Sequence, residues 1–241
     1  MSRQVMDATY LTLSDVLEAE LAKARPGDPV PSEHDLAARH KVSRLTARAA
    51  LQELEHRYLV RRIQGRGTFV ARRIEYRVTP DIAPSWTQTV RSAGADPATV
   101  NDSVRTRRAQ RRERDGLGLS AQAKVTVVRR RRYIDDELVG AATSVVPTDV
   151  VPGLADRLGP TGSLYDALVE CDLQPERDVV RVKVEAAPPE IAASLGLRGR
   201  PHLVHQEGAL RCAHRGRRIE INESWLRADV FDLVVEIGRY G

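Results

Sequence analysis

Cysteine is nearly absent: Cys171 and Cys212 are the only two in 241 residues. Two thiols make no disulfide framework, and such sparing use fits a reducing cytosol. Long apolar runs are missing as well. The longest stretch without a charged side chain runs only from Leu138 to Thr148, whereas a bilayer-spanning helix needs about 20 apolar residues. The opening MSRQVMDATYLTLSDVLEAE has no apolar core of a secretion signal. A cytoplasmic protein with no membrane partner is therefore expected. There is no internal repeat and no low-complexity tract. Lysine is scarce too, with 4 Lys beside 34 Arg. Base composition alone can favour arginine over lysine, so arginine usage by itself carries no functional weight.

What is present is enough for a core. Apolar residues make up 41% of the chain and the mean hydropathy is −0.38, which excludes a disordered polymer. The length suits one large domain or two modest ones. The net charge of +5 is unevenly spread. Residues 39–73 hold ten Lys/Arg against Glu53 and Glu55, whereas residues 78–241 are almost balanced, with 24 basic and 23 acidic side chains. A basic stretch on a nearly neutral body is the electrostatic pattern of a polyanion-binding module.

The order of elements in the first third gives that module a shape. Leu13, Leu17 and Leu21 recur every four residues, with Tyr10 and Val16 widening the stripe, and predict a helix over 9–25. Pro26-Gly27-Asp28-Pro29 ends it. Ser32 and Asp35 form a capping-box pair for a second, short helix that buries Leu36 and Ala37 and breaks near His40-Lys41. Ser43 caps a third helix with Ala47, Ala50, Leu51 and Leu54 inward. Two β-like runs, Leu59–Ile63 and Thr68–Ala71, flank Gln64-Gly65-Arg66-Gly67, whose glycines supply the positive φ of a tight hairpin. Three short helices and a basic hairpin make a winged helix-turn-helix over residues 1–71.

Residues 72–83, with Pro80 and then Pro84 at the end, read as a linker. From 84 to 241 the pattern is α+β with a largely antiparallel sheet. Val125–Tyr133 and Leu138–Val146 flank an Asp135-Asp136 turn. Helices are expected near 149–157 and 163–171, a strand near 178–186, a short helix from Pro188-Pro189-Glu190 to Gly196, and strands near 202–212 and 217–227.

In a helix-turn-helix the second helix of the pair enters the major groove with its N-terminal residues against base edges. Here those residues are Ser43, Arg44, Thr46 and Arg48, with Arg44 and Arg48 on one face. An arginine fork suits guanine O6 and N7. Arg66 at the hairpin tip, between Gly65 and Gly67, is placed for phosphates or the minor groove. In the second domain, Arg130 and Arg132 share one strand face and Arg129 and Arg131 the other. One pair can line a cavity as an anion receptor while the other stays solvated.

Catalytic patterns are lacking. His202, His205, Cys212 and His214 match no common zinc spacing. Asp135-Asp136 suits a turn better than acid–base work, and neither a nucleophile–base signature nor a phosphate-binding glycine loop is present. No catalytic residue, metal or cofactor is assigned.

PSEHDLAARHKVSRLTARAALQEL and YLVRRIQGRGTFV resemble the DNA-binding domain of GntR-type bacterial transcription factors. Lys41 stands where the turn commonly has Gly, and Ala47 where Val is usual. The resemblance implies Arg39, Arg44, Thr46, Arg48 and Gly67 at the DNA, with Thr68 following in the wing motif. The remainder is similar to the UTRA effector-binding domain of the HutC subfamily, of chorismate-lyase-like fold. It carries Ser85-Trp86-Thr87 before Gly94, Gly162-Ser163-Leu164-Tyr165, Leu195-Gly196-Leu197, and Ile219-Glu220 leading to Leu226-Arg227-Ala228-Asp229. GSLYDAL and ESWLRADVF most resemble regulators of phosphonate operons.

The resemblance implies an effector site of Ser85, Trp86, Arg130, Arg132, Ser163, Tyr165 and Glu220. Ala142 replaces an acidic contact of sugar-phosphate-responsive relatives, and Leu226 a tyrosine, which argues against an amino sugar and leaves an anion in place. The expectation is a homodimeric repressor of a pseudo-palindromic operator on double-stranded DNA, released by a small metabolite bearing phosphate, phosphonate or carboxylate. An effector-independent repressor is the alternative, and a chorismate-lyase-like enzyme the remote one.

Overall fold

The leucine stripe forms the helix it predicts. In the computed structural model α1 runs over Arg3–Leu21, longer at its start and shorter at its end than the periodicity suggests. Residues 3–63, 65–78, 85–212 and 214–235 are described, with side chains from residue 9 onward. After β1 (Pro29–Val30) come α2 (Glu33–His40), α3 (Arg44–His56), β2 (Val60–Ile63) and β3 (Gly67–Val70). The strands form an antiparallel wing in the order β1-β3-β2. Ser32 and Asp35 make the expected capping box, and Ser43 caps α3 through Thr46 N–H. Each cap satisfies helix-end donors that would otherwise lie unpaired. Leu13, Leu17, Leu36, Ala47, Leu51 and Leu54 close one apolar core.

Between α2 and α3, Lys41 has φ of 54° and its N–H bonds to Ala37 O. The lysine thus keeps the left-handed turn that a glycine would adopt without strain. Arg57, just past α3, donates to Asp15 and Glu18 of α1 at 2.8 Å each and to Glu53 at 2.9 Å. Three carboxylates around one guanidinium hold its proton more firmly than usual and tie α1 to the end of α3.

The chain divides into two compact units, Met1–Arg73 and Ile74–Gly241. The second contains β4 (Ile74–Val78), α4 (Trp86–Ser92), β5 (Pro97–Arg108), α5 (Arg111–Leu117), β6 (Lys124–Ile134) and β7 (Glu137–Pro147). It continues with α6 (Leu154–Leu158), α7 (Leu164–Val169), β8 (Pro175–Ala186), α8 (Pro189–Ser194), β9 (His202–Cys212), β10 (Arg217–Arg227) and β11 (Phe231–Val235). Six strands form an antiparallel sheet in the order β5-β6-β7-β10-β9-β8. Asp135 and Asp136, with φ of 46° and 62°, make the β6–β7 turn.

Alternation along the strands splits the core. Val128, Val146 and Ile219 pack under α6 and α7, while the neighbouring Val127 and Val145 face the other way with Leu117 of α5. Leu203 and Trp225 are covered by α8 residues Ile191 and Ala192.

The linker expected over 72–83 needs correction. Ile74–Val78 is a strand in parallel register with β11, and Ile74 is fully buried beside Trp86 and Phe231. The second unit therefore starts at Ile74 rather than at residue 84. The sequence I-E-Y-R-V alternates apolar and polar, the mark of a half-buried strand. The rest of the expected linker, residues 79–83, lies outside the described residues.

Candidate DNA interface and effector cavity

The outward face of α3 carries Arg44, Leu45 and Arg48, all exposed. Arg44 and Arg66 have no ion-pair partner among the described residues. Arg48 lies 4.0 Å from Glu33, and Arg39 sits 3.4 Å from Glu20. Pairs this exposed hold their charges weakly, which leaves all four cations open to exchange for phosphate or base acceptors. Gly65 and Gly67 take φ of 74° and 116° and keep the wing tip low around Arg66. Gly67 is exposed and Thr68 half-buried on β3.

Thr46 behaves differently from its neighbours. It is 6% exposed, and its hydroxyl pairs with Ser43 Oγ at 2.8 Å while its N–H donates to the same oxygen at 3.0 Å. Ser43 and Thr46 thus shape the start of α3 and leave the outward face to Arg44 and Arg48. Leu45, 60% exposed, was not singled out by the sequence, because one leucine between two helical stripes looks like core.

The seven effector positions expected from sequence line two connected spaces. Ser85, Trp86, Arg130, Arg132 and Tyr165 border both a smaller space of about 100 Å³, which we call the inner chamber, and a larger one of about 450 Å³, which we call the outer. Glu220 belongs to the inner chamber and Ser163 to the outer. Strand pleating explains the arginines: Arg130 and Arg132 point inward from β6, while Arg131 pairs with Asp102 at 2.8 Å on the opposite face.

Arg130 is 7% exposed. Its Nη2 donates to Ser144 Oγ, and Ser144 donates to Glu220 Oε1 at 2.6 Å. Burial pulls the affinity of the Arg130 guanidinium for its proton down, and Glu220 partly restores it. Arg132 is lowered to about 9, by burial first and by Arg130 second. Its guanidinium sits 4.8 Å above the Trp86 ring, so that ring face supports the arginine instead of being free to pack on a ligand. Both serines act as helix caps: Ser85 Oγ accepts from Gln88 N at 3.1 Å and Ser163 Oγ from Asp166 N at 3.2 Å. Each hydroxyl keeps its own hydrogen to donate and so can serve an anion.

Sequence reasoning missed Ser144, which connects Arg130 to Glu220, and five inner-chamber residues: Tyr76, Arg177, Gln206, Asn222 and Ser224. The register of β7, β8, β9 and β10 brings all but Tyr76 together, and Tyr76 comes from β4 of the separate β4–β11 pair; no local spacing signals either. The histidine and cysteine positions weighed for zinc lie apart from this cavity. His205 is stacked 3.9 Å from Trp225 between Glu185 and Glu223, and Cys212 sits in the core under α6 and α7.

Both parts of the chain match known families. Residues 9–70 match the bacterial regulatory proteins of the gntR family, and residues 92–232 match the UTRA domain. The HTH-type transcriptional regulator GgaR of Escherichia coli (strain K12) is 31% identical over 211 residues, 87% of this chain and 82% of that protein. The HTH-type transcriptional repressor NagR of Bacillus subtilis (strain 168) is 25% identical over 234 residues, 95% of each chain. The crystal structure of PhnF from Mycobacterium smegmatis has a TM-score of 0.67 at 26% identity, covering 93% of this chain and 98% of that one. With a winged helix built for DNA, a lined cavity behind it in the chain, and relatives that are regulators rather than enzymes, the chain belongs to the GntR family as a transcriptional regulator with a UTRA effector-binding domain.

Proposed function

We propose that this regulator is a cytoplasmic repressor that binds a pseudo-palindromic operator as a homodimer and releases it when a small anion enters the cavity. The observation that carries this reading is the charge inside the protein. Arg130, Arg132 and Arg177 line the inner chamber against one carboxylate, Glu220. Burying unpaired guanidinium groups is unfavourable by several kcal/mol each, in order of magnitude, so an incoming phosphate, phosphonate or carboxylate recovers that energy. On the DNA side, Arg44, Arg48 and Arg66 read and hold the duplex, with Ser43 and Thr46 setting the pose of α3. One such helix reads few base pairs, and a two-fold dimer reads two half-sites at once.

Release requires the anion to favour one state over the other. Tyr76 supplies a physical link. It lies on β4, the first element after Arg73, and its hydroxyl accepts from Arg177 at 3.3 Å and Gln206 at 3.4 Å. An anion that engages Arg177 competes with that grip on β4. Calorimetry with phosphate, methylphosphonate and acetate, alongside sedimentation with a selected operator duplex, tests the reading. Anion binding by a dimer supports it; binding of neutral or cationic compounds alone, or a monomer both free and on DNA, overturns it.

A further inference from the structure

Arg177 places a third positive charge in the cavity, beside Arg130 and Arg132. It reaches the inner chamber from β8, and its acidic neighbours are engaged elsewhere: Glu176 pairs with Arg211 at 3.1 Å and Asp178 with Arg218 at 2.5 Å. Among the described residues the Arg177 guanidinium bonds to Tyr76 alone, through Nη2 at 3.3 Å, and lies over its ring, whose centre is 5.4 Å from the guanidinium carbon. Its Nε is buried with no acceptor among the described residues. A buried donor without a partner is unfavourable, and a second acceptor in the chamber removes the problem. Gln206, Asn222 and Ser224 add further polar lining.

Position within the cavity matters as much as charge. Arg130 and Arg132 border both chambers, whereas Arg177 borders the inner one alone. An anionic group held at the junction by the arginine pair therefore leaves Arg177 free to meet something else. The inner chamber, about 100 Å³, has room for several heavy atoms. A guanidinium fork is matched best by a planar or tetrahedral oxyanion. Resting on the anion-cavity reading above, we propose that the inner chamber is a second anion subsite built on Arg177, and that the effector is a short molecule with two acidic groups. One group binds at Arg130 and Arg132 and the other at Arg177.

The test is calorimetry on the full-length protein with methylphosphonate, which has one acidic group, and with phosphonoacetate and 3-phosphonopropionate, which have two. At least one of the two-headed probes should bind ten-fold or more tightly than methylphosphonate. Arg177→Met should bring that ratio within two-fold, weakening the two-headed probe far more than methylphosphonate. Arg177→Gln, which keeps a donor, should fall between. Equal binding of all three probes by the unaltered protein removes the second subsite and leaves the anion cavity standing. A ratio that survives both substitutions removes Arg177 from the subsite. If none of the three binds, the anion cavity fails and this inference fails with it.

Discussion

The arginines of the two units meet opposite surroundings. On α3 and the wing, Arg44, Arg48 and Arg66 stand in solvent, without an ion-pair partner among the described residues or, for Arg48, with one at 4.0 Å. In the cavity, Arg130 and Arg132 are drawn out of water, and both hold their protons less firmly than usual because of it. A solvated cation is inexpensive to keep and binds a polyanion by releasing counterions, a salt-sensitive effect. A buried cation is stable only if something inside the protein answers it. The first set suits a partner met at the surface, and the second a ligand that comes in.

The sharpest way to break this contrast is to remove a carboxylate from each setting. Glu220→Gln takes the one acidic side chain among the described residues lining the inner chamber and should destabilise the second unit by about 3 kcal/mol, the order of leaving a buried charged group without its compensating charge. A saturating anion should restore part of it. Trp86 and Trp225, the only tryptophans, both lie in that unit, so urea unfolding followed by tryptophan fluorescence reads it directly. Glu20→Gln, the exposed partner of Arg39, should change stability by less than about 0.5 kcal/mol. Equal effects would erase the distinction.

The next effect in size is at the DNA. Arg44→Ala and Arg48→Ala should each weaken operator binding by about 1–3 kcal/mol, the range for a lost bidentate base contact. Arg66→Ala should instead lower the slope of log affinity against log salt by about 1. Titrations on operator and scrambled duplexes separate the two. Unchanged affinity in the first two variants would remove α3 as the reading helix.

Smaller still is the turn before α3. Lys41→Gly relieves a left-handed lysine, less the entropy that glycine adds to the unfolded chain, and should stabilise the first unit by about 0.5–1 kcal/mol. Thermal unfolding followed by helical circular dichroism checks it, and a loss of stability would contradict the strain argument.

The least change is expected from pH. Arg132 is a base lowered in the folded state to about 9. The penalty of burying its charge is fully present below that value and is relieved as pH rises through it, so this group adds stability in alkali. Between pH 6 and 7.5 it remains a cation, and acetate affinity should stay within two-fold across that window. A ten-fold drop there would point to another titrating group in the cavity.

Much of the fold is legible in the sequence because its signals are local. Ser32 with Asp35, Ser43 before Arg44, the wing glycines and the Asp135-Asp136 turn each act within a few residues. β4 was concealed by the prolines that follow it, although its own five residues alternate. β5 was obscured by the register shift between Asn101 and Ser103, which breaks the two-residue period along an edge strand. In the cavity, Arg130 and Arg132 follow from pleating alone, whereas Ser144 and Arg177 depend on strands paired across long separations. Thr46 shows what spacing alone does not reveal: the hydroxyl expected at the DNA also pairs with Ser43 Oγ at the start of α3.

The account stands most directly on whether the buried arginines convert an anion into release of DNA. Anisotropy of a labelled operator duplex, titrated with the full-length protein in the presence and absence of the tightest-binding anion, measures this in one experiment. The unaltered protein should lose about 5- to 150-fold in operator affinity, the usual span of allosteric coupling. Arg130→Met/Arg132→Met should bind the duplex as well as the unaltered protein and show no loss when the anion is added. Full release from the double variant would contradict the account.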